Sequence, residues 1–252
     1  MTADALNRNA PVMLLDIEGT TAPIRFIYDV LFPYARSHTK RYLADNYSSV
    51  DVQADVEGLR QQHAEDLSKG LDPPALVDDP FKSRLDSLEA YIHWLMGRDS
   101  KATPLKSFQG KIWKEGYRKG ELTSLVFDDV PRALSLWNQQ SKQVCIYSSG
   151  SVLAQKLFFA NTTAGDLTGF IHDYFDTDVG GKREEESYRC IASRLKREPS
   201  EVVFFSDITE ELDAARAAGM HTVLCVRPGN HPQPEPAEHP VIHTFDEFFS
   251  AG

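Results

Sequence analysis

Residues 12–20 read "VMLLDIEGT", with Thr21 next: four apolar residues run directly into Asp16, and Glu18 follows two positions later. A short apolar run without polar alternation reads as a strand buried on both faces, as in a parallel sheet. The same form recurs three times. "QVCIYSS" (143–149) runs into "GS", "EVVFFSD" (201–207) into "ITEE", and "HTVLCV" (221–226) into "RPGN". Helix-like segments follow the first two, "SVLAQKLFFAN" and "EELDAARAAG", the second closed by Gly219. Strands alternating with helices predict right-handed βαβ units and a doubly wound α/β sheet. Chemistry in such sheets collects at the carboxyl ends of the strands. The polar residues at those ends are Asp16, Ser148, Ser149 and Asp207.

Residues 24–127 have a different character. Leu85, Leu88, Ile92 and Leu95 recur at helical spacing, as do Leu105, Phe108 and Ile112, and Thr103-Pro104 reads as a helix start. "DVLFPYARSHTKRYLADNY" and "VQADVEGLRQQHAEDL" supply two more helices, whereas "LDPPALVDDP" (71–80) breaks into a loop. The expectation is an α/β core from 1–23 and 128–252, with a helical bundle from 24–127 inserted just after the first strand and lying over the site. Toward the end, "RPGNHPQPEPAEHP" reads as a proline-rich surface loop and "VIHTFDEFF" as a last strand and short helix.

The 252 residues are 41% hydrophobic and 25% charged, with a formal net charge of −10. That balance fits an ordinary globular protein and argues against nucleic acid or an anionic membrane as the main partner. A small anionic substrate remains open, because a bound cation reverses the local sign. Cys145, Cys190 and Cys225 contain no C-x-x-C, which fits reduced thiols. No run approaches a membrane span, so the expected setting is cytoplasmic, and also nuclear for a eukaryotic source. The expected form is a monomer. The scattered histidines suggest no zinc site.

Taken alone, Asp16 reads equally well as the opening of a turn. Glu18 and Asp207 shift that balance, because two carboxylates on one loop and a third on another strand end suit Mg²⁺, a cation that also binds substrate phosphate. A carboxylate held there can attack phosphorus and form an aspartyl-phosphate. Glu18 is then placed to protonate the leaving oxygen and later to activate water. Gly19 permits a tight turn, and Thr20 and Thr21 offer hydroxyls around it. Ser148 and Ser149 precede a helix, so one is a candidate N-cap and either a candidate phosphate ligand. Lys182, after Gly180 and Gly181, is a surface charge or the cation that holds a phosphoryl group. Glu184, Glu185 and Glu186 read as an acidic first helical turn. Glu210, Glu211 and Asp213 read likewise, with one of them a candidate outer partner of the metal.

Asp16 in "DIEGTT", the serines of "IYSSGS", Lys182 of "GGK" and Asp207 of "FFSD" resemble, in order, the four motifs of the haloacid dehalogenase superfamily. Within it, "DIEGTTAPIRFIYDVLFPYA", "VRPGN" and "FDEFF" resemble the enolase-phosphatase E1 group, acireductone synthases of L-methionine salvage. The resemblance implies a Rossmann-like core with a helical cap and one Mg²⁺ per subunit. It implies a metal site of Asp16, Glu18 (through its main-chain carbonyl) and Asp207. Asp16 and Glu18 would be catalytic, and Ser148, Ser149 and Lys182 would bind phosphate. The implied substrate, 2,3-diketo-5-methylthiopentyl-1-phosphate, is enolised and then dephosphorylated.

Three other readings compete. A Mg²⁺-dependent phosphatase of the same superfamily acting on another small phosphate ester would share the chemistry. A phospho-accepting signalling domain would not need a large insert. A dehalogenase would need no metal, leaving Glu18 and Asp207 unexplained.

Overall fold

The computed structural model describes residues 10–232 and 238–249. Part of the proline-rich stretch, residues 233–237, lies outside them, as does the N-terminal segment 1–9. Two compact units emerge, one running to Ile27 and resuming at Thr123, the other spanning Tyr28–Leu122. Among the described residues no helix is long and apolar enough to cross a membrane.

The first unit is a six-stranded sheet in the order β3-β2-β1-β4-β5-β6, with every neighbouring pair parallel. Its strands are β1 (Val12–Leu15), β2 (Gln143–Tyr147), β3 (Asp173–Phe175), β4 (Val202–Ser206), β5 (His221–Cys225) and β6 (Val241–Ile242). The doubly wound expectation therefore holds. Sequence periodicity leaves out β3, a three-residue edge strand that opens on an exposed aspartate. All four β1 side chains are buried because both faces are covered, which is why the run shows no polar alternation. On one face Val12, Leu14, Tyr147 and Phe204 pack with Tyr188, Ile191 and Leu212. On the other, the Phe205 ring lies 5.7 Å from Trp137, 5.5 Å from Phe245 and 5.1 Å from Phe248.

The chain runs from β1 to β2 and β3 on one side and then crosses from β3 to β4 on the other, so β2 and β4 flank β1. This reversal is the topological switch point, where the helices splay apart and open a crevice above the strand ends. The covering helices number, in chain order after the four of the second unit, α5 (Val130–Gln139), α6 (Val152–Ala160), α7 (Glu185–Arg194) and α8 (Thr209–Ala217).

The second unit holds α1 (Phe32–Asn46), α2 (Val50–Ser68), α3 (Phe81–Gly97) and α4 (Thr103–Lys119). Ala102 takes the N-cap position of α4, so Thr103 and Pro104 are its first two residues. Residues 71–78 form no helix or strand, as the prolines require. The Lys111 ammonium pairs with the buried Asp55 carboxylate, and Trp113 Nε1 donates to the Leu31 carbonyl at 2.8 Å. A short helical turn, Ile24–Phe26, leads into π-helical Ile27–Leu31 on the way into this unit.

Removing the Phe205 ring leaves a cavity against three other rings, a loss of about 3–5 kcal/mol. Phe205→Ala is expected to lower the urea midpoint followed by tryptophan fluorescence, and an unchanged midpoint would show that this face is not cooperative core.

Candidate active site

β1 ends at Leu15, in register with Phe205 of β4 and Ile146 of β2, and Asp16 extends that pairing by donating its N–H to the Phe205 carbonyl at 3.0 Å. The nucleophile candidate is thus held by the sheet itself. Immediately beyond it the chain winds around one acceptor: the Ile17 carbonyl receives the N–H groups of Thr20, Thr21 and Ala22 at 3.2, 3.0 and 2.8 Å. Thr21 Oγ1 donates to the Asp16 carbonyl at 3.0 Å, whereas Thr20 Oγ1 is buried with no partner among the described residues. Gly19 sits at φ 71°, and a Cβ there would lie 2.3 Å from Asp207 Oδ2. Only glycine lets this turn press against the Asp207 carboxylate.

Lys182 Nζ lies 2.6 Å from Asp16 Oδ1 and 2.6 Å from Glu211 Oε2, with its side chain only 9% exposed. The loop that delivers it is pinned from below. Tyr147 Oη donates to the Gly180 carbonyl at 3.0 Å, Ser187 Oγ to the Gly181 carbonyl at 2.8 Å, and Tyr188 Oη to the Lys182 carbonyl at 2.5 Å. Gly180 has φ 125°, and a Cβ would lie 2.2 Å from Ser187 Oγ. Of the two readings of Lys182, the surface charge is excluded.

The sequence reading leaves Glu211 among three acids at the start of α8, one of them a candidate outer partner of the metal. It does lie there, but its carboxylate accepts from Ser206 Oγ at 3.0 Å and turns onto Lys182. Glu185 and Glu186 stay in the first turn of α7, with Glu184 as its N-cap. Ser148 is buried at the end of β2 and its Oγ accepts from the Gly150 N–H at 3.2 Å. Ser149 is partly exposed. The cap of α6 is Ser151, whose side chain accepts from the Ala154 N–H, so neither Ser148 nor Ser149 is consumed in capping. Among the described residues neither serine bonds Asp16 or Lys182 directly. His239 and His243, four apart, share no site: His239 is buried against Thr222 Oγ1 at 2.8 Å, while His243 is exposed.

The electrostatics are those of a cluster short of positive charge. Burial raises the Asp16 pKa well above the usual carboxylate range; Lys182 opposes this, and Glu211, Glu18 and Asp207 add to it. Burial likewise pushes Asp207 up to about 7, against the pull of Lys182 and with Glu211 and Glu18 adding to the rise. Burial would lower the Lys182 pKa, but Asp16 and Glu211 outweigh it and the net direction is upward, so the ammonium stays charged. Asp16 and Glu211 contact the one ammonium, and Glu18 and Asp207 add negative charge around them, a set of hard oxygens that a divalent cation would balance. Among the described residues no three His, Cys, Asp or Glu side chains cluster tightly enough to cage an ion unaided. Mg²⁺ does not require such a cage, because it keeps several waters and takes one or two carboxylates together with substrate phosphate.

The sequence model of the haloacid dehalogenase-like hydrolases matches residues 11–219. Enolase-phosphatase E1 of Synechococcus elongatus is 45% identical over 237 residues, covering 93% of this chain and 96% of that protein. Enolase-phosphatase E1 of Drosophila melanogaster is 43% identical over 225 residues, covering 88% and 86%. The crystal structure of the UTR4 protein of Saccharomyces cerevisiae aligns with a TM-score of 0.76 at 34% identity, covering 94% of this chain and 99% of that one. With these matches spanning both halves of the sheet and the segment between them, the chain belongs to the haloacid dehalogenase-like hydrolases and, within them, to the enolase-phosphatase E1 family.

Proposed function

We propose that the protein is a Mg²⁺-dependent enolase-phosphatase that converts 2,3-diketo-5-methylthiopentyl-1-phosphate to the acireductone and inorganic phosphate. The observation that carries this reading is the Asp16 carboxylate, buried at the switch point with Lys182 Nζ 2.6 Å away. An aspartate fixed by the sheet and paired with a permanently charged ammonium suits attack on a phosphoryl group.

In this mechanism an Asp16 carboxylate oxygen forms a bond to phosphorus as the phosphorus–oxygen ester bond breaks. Glu18, partly exposed two residues on, gives its proton to the departing oxygen. It then takes a proton from the water that attacks the aspartyl-phosphate, which releases phosphate and restores Asp16. Lys182, with Ser148 and Ser149 at the neighbouring strand end, holds the phosphoryl oxygens throughout. Asp16, Asp207 and the Glu18 main-chain carbonyl would hold Mg²⁺. The cation would offset repulsion between carboxylate and phosphoryl group and polarise the diketone oxygen, acidifying the adjacent C–H for enolisation. The helical unit Tyr28–Leu122 is the cap in this reading.

The protein incubated with the diketo phosphate and Mg²⁺ is expected to show enol absorbance followed by phosphate release, both lost on chelation and restored by Mg²⁺. Release that ignores the chelator, or that occurs from other phosphate esters while the diketo phosphate stays intact, would overturn the assignment. Asp16→Asn is expected to fold and to release no phosphate, and residual turnover near the wild-type rate would remove Asp16 as nucleophile. Lys182→Met is expected to lower kcat by roughly a hundred- to a thousandfold, checked alongside circular dichroism because it leaves two buried acids without their cation.

A further inference from the structure

The segment after β5 reads Arg227-Pro228-Gly229-Asn230, a proline followed by a glycine at the centre of a turn. Gly229 has φ 89°, and the Asn230 N–H closes the turn on the Arg227 carbonyl at 3.1 Å. Proline and a positive-φ glycine at these positions are the signature of a type II turn. Such a turn brings its first and fourth residues side by side, and here both send side chains to the loop that follows Asp16. Arg227 Nε donates to the Thr20 carbonyl at 3.1 Å, and Asn230 Nδ2 donates to the Gly19 carbonyl at 2.9 Å.

We propose that this turn is a clamp on the catalytic loop, with Arg227 and Asn230 as positioning residues for Asp16 and Glu18. The proposal rests on the reading of Asp16 as nucleophile. The loop uses its own N–H groups on the Ile17 and Ala22 carbonyls, which leaves the carbonyls of Gly19 and Thr20 pointing outward. A peptide beside a glycine at φ 71° is the easiest in the loop to rotate, because no Cβ resists it. Holding two consecutive carbonyls from one rigid turn blocks that rotation and keeps Gly19 pressed on Asp207.

Stability alone does not account for the pair. Arg227 is 4% exposed, its Nη1 donates to Asp129 Oδ2 at 2.7 Å and to the His243 carbonyl at 2.8 Å, and its guanidinium lies between the Phe127 and Phe245 rings at 4.8 and 4.6 Å. Among the described residues, Nη2 is nonetheless buried without a partner, as is Asn230 Oδ1. Both side chains turn donors toward the catalytic loop and leave another polar atom unmatched. An apolar pair of similar volume in place of Arg227 and Asp129 together would serve a purely structural position as well or better. A planar guanidinium alone bridges Thr20, Asp129 and His243 from one rigid group.

The test uses Asn230→Ala and, because the buried ion pair makes Arg227→Ala liable to unfold, Arg227→Lys, which keeps the charge opposite Asp129. The expected result for each variant is a native circular dichroism spectrum and a kcat lowered roughly ten- to a hundredfold. KM for the diketo phosphate should change by less than about threefold. Hydrogen exchange at the amides of residues 19–22 should quicken roughly two- to tenfold relative to those of β1, the effect of one lost hydrogen bond. An unchanged exchange rate at those amides, or an unchanged kcat in a folded variant, would overturn the clamp. Absence of phosphate release by the wild-type protein would instead overturn the nucleophile reading, and the exchange measurement would then decide the clamp by itself.

Discussion

The Lys182 ammonium sits 2.6 Å from Asp16 Oδ1 and 2.6 Å from Glu211 Oε2 at the end of the first strand, almost wholly withdrawn from water. A buried pair of this kind is a poor source of stability, since removing both charges from solvent offsets most of their attraction. Its consequence is positional. The Asp16 main chain is fixed by a sheet hydrogen bond and its carboxylate is held by an ion pair to Lys182. The Lys182 loop is shaped for the same end, with two glycines and three side-chain hydroxyls holding its main chain beneath the ammonium.

Topology explains why these groups meet. The central strand has β2 on one side and β4 on the other, so the segments after β1, β2 and β4 converge on one crevice although the first stands more than a hundred residues before the other two in sequence. Each strand contributes an apolar run that anchors it and a polar residue just past the run. Asp16, Ser148 and Asp207 are all buried, at 2%, 1% and 2% exposure. Polar side chains that inaccessible are kept where chemistry needs them and where a cation or an anion balances their charge.

Much of this was legible in the chain because an unbroken apolar run betrays a strand buried on both faces, and the residue that ends it marks a strand's carboxyl end. Asp16 and Asp207 could be picked out in that way, and Lys182 by its glycines. Glu211 could not be singled out from Glu210 and Asp213: acids at the start of a helix are explained by the helix dipole, and nothing local distinguishes the one that turns back onto Lys182. β3 escaped because three residues carry no periodicity. Ser151, rather than Ser148 or Ser149, caps α6, a choice made by backbone geometry four residues beyond where the strand ends. The clamp from Arg227 and Asn230 was hidden for another reason. The Pro-Gly turn can be read locally, but its targets lie about 210 residues earlier and are main-chain carbonyls, which leave no trace in side-chain identity.

Chemical trapping at position 16 tests the account most directly. The protein is quenched during turnover of the diketo phosphate, reduced with borohydride, which converts an acyl phosphate to an alcohol, and digested for mass spectrometry. The account predicts reduction of the Asp16 side chain, only in samples that received substrate and Mg²⁺. Phosphate release with Asp16 unmodified and another carboxylate reduced in its place would contradict it.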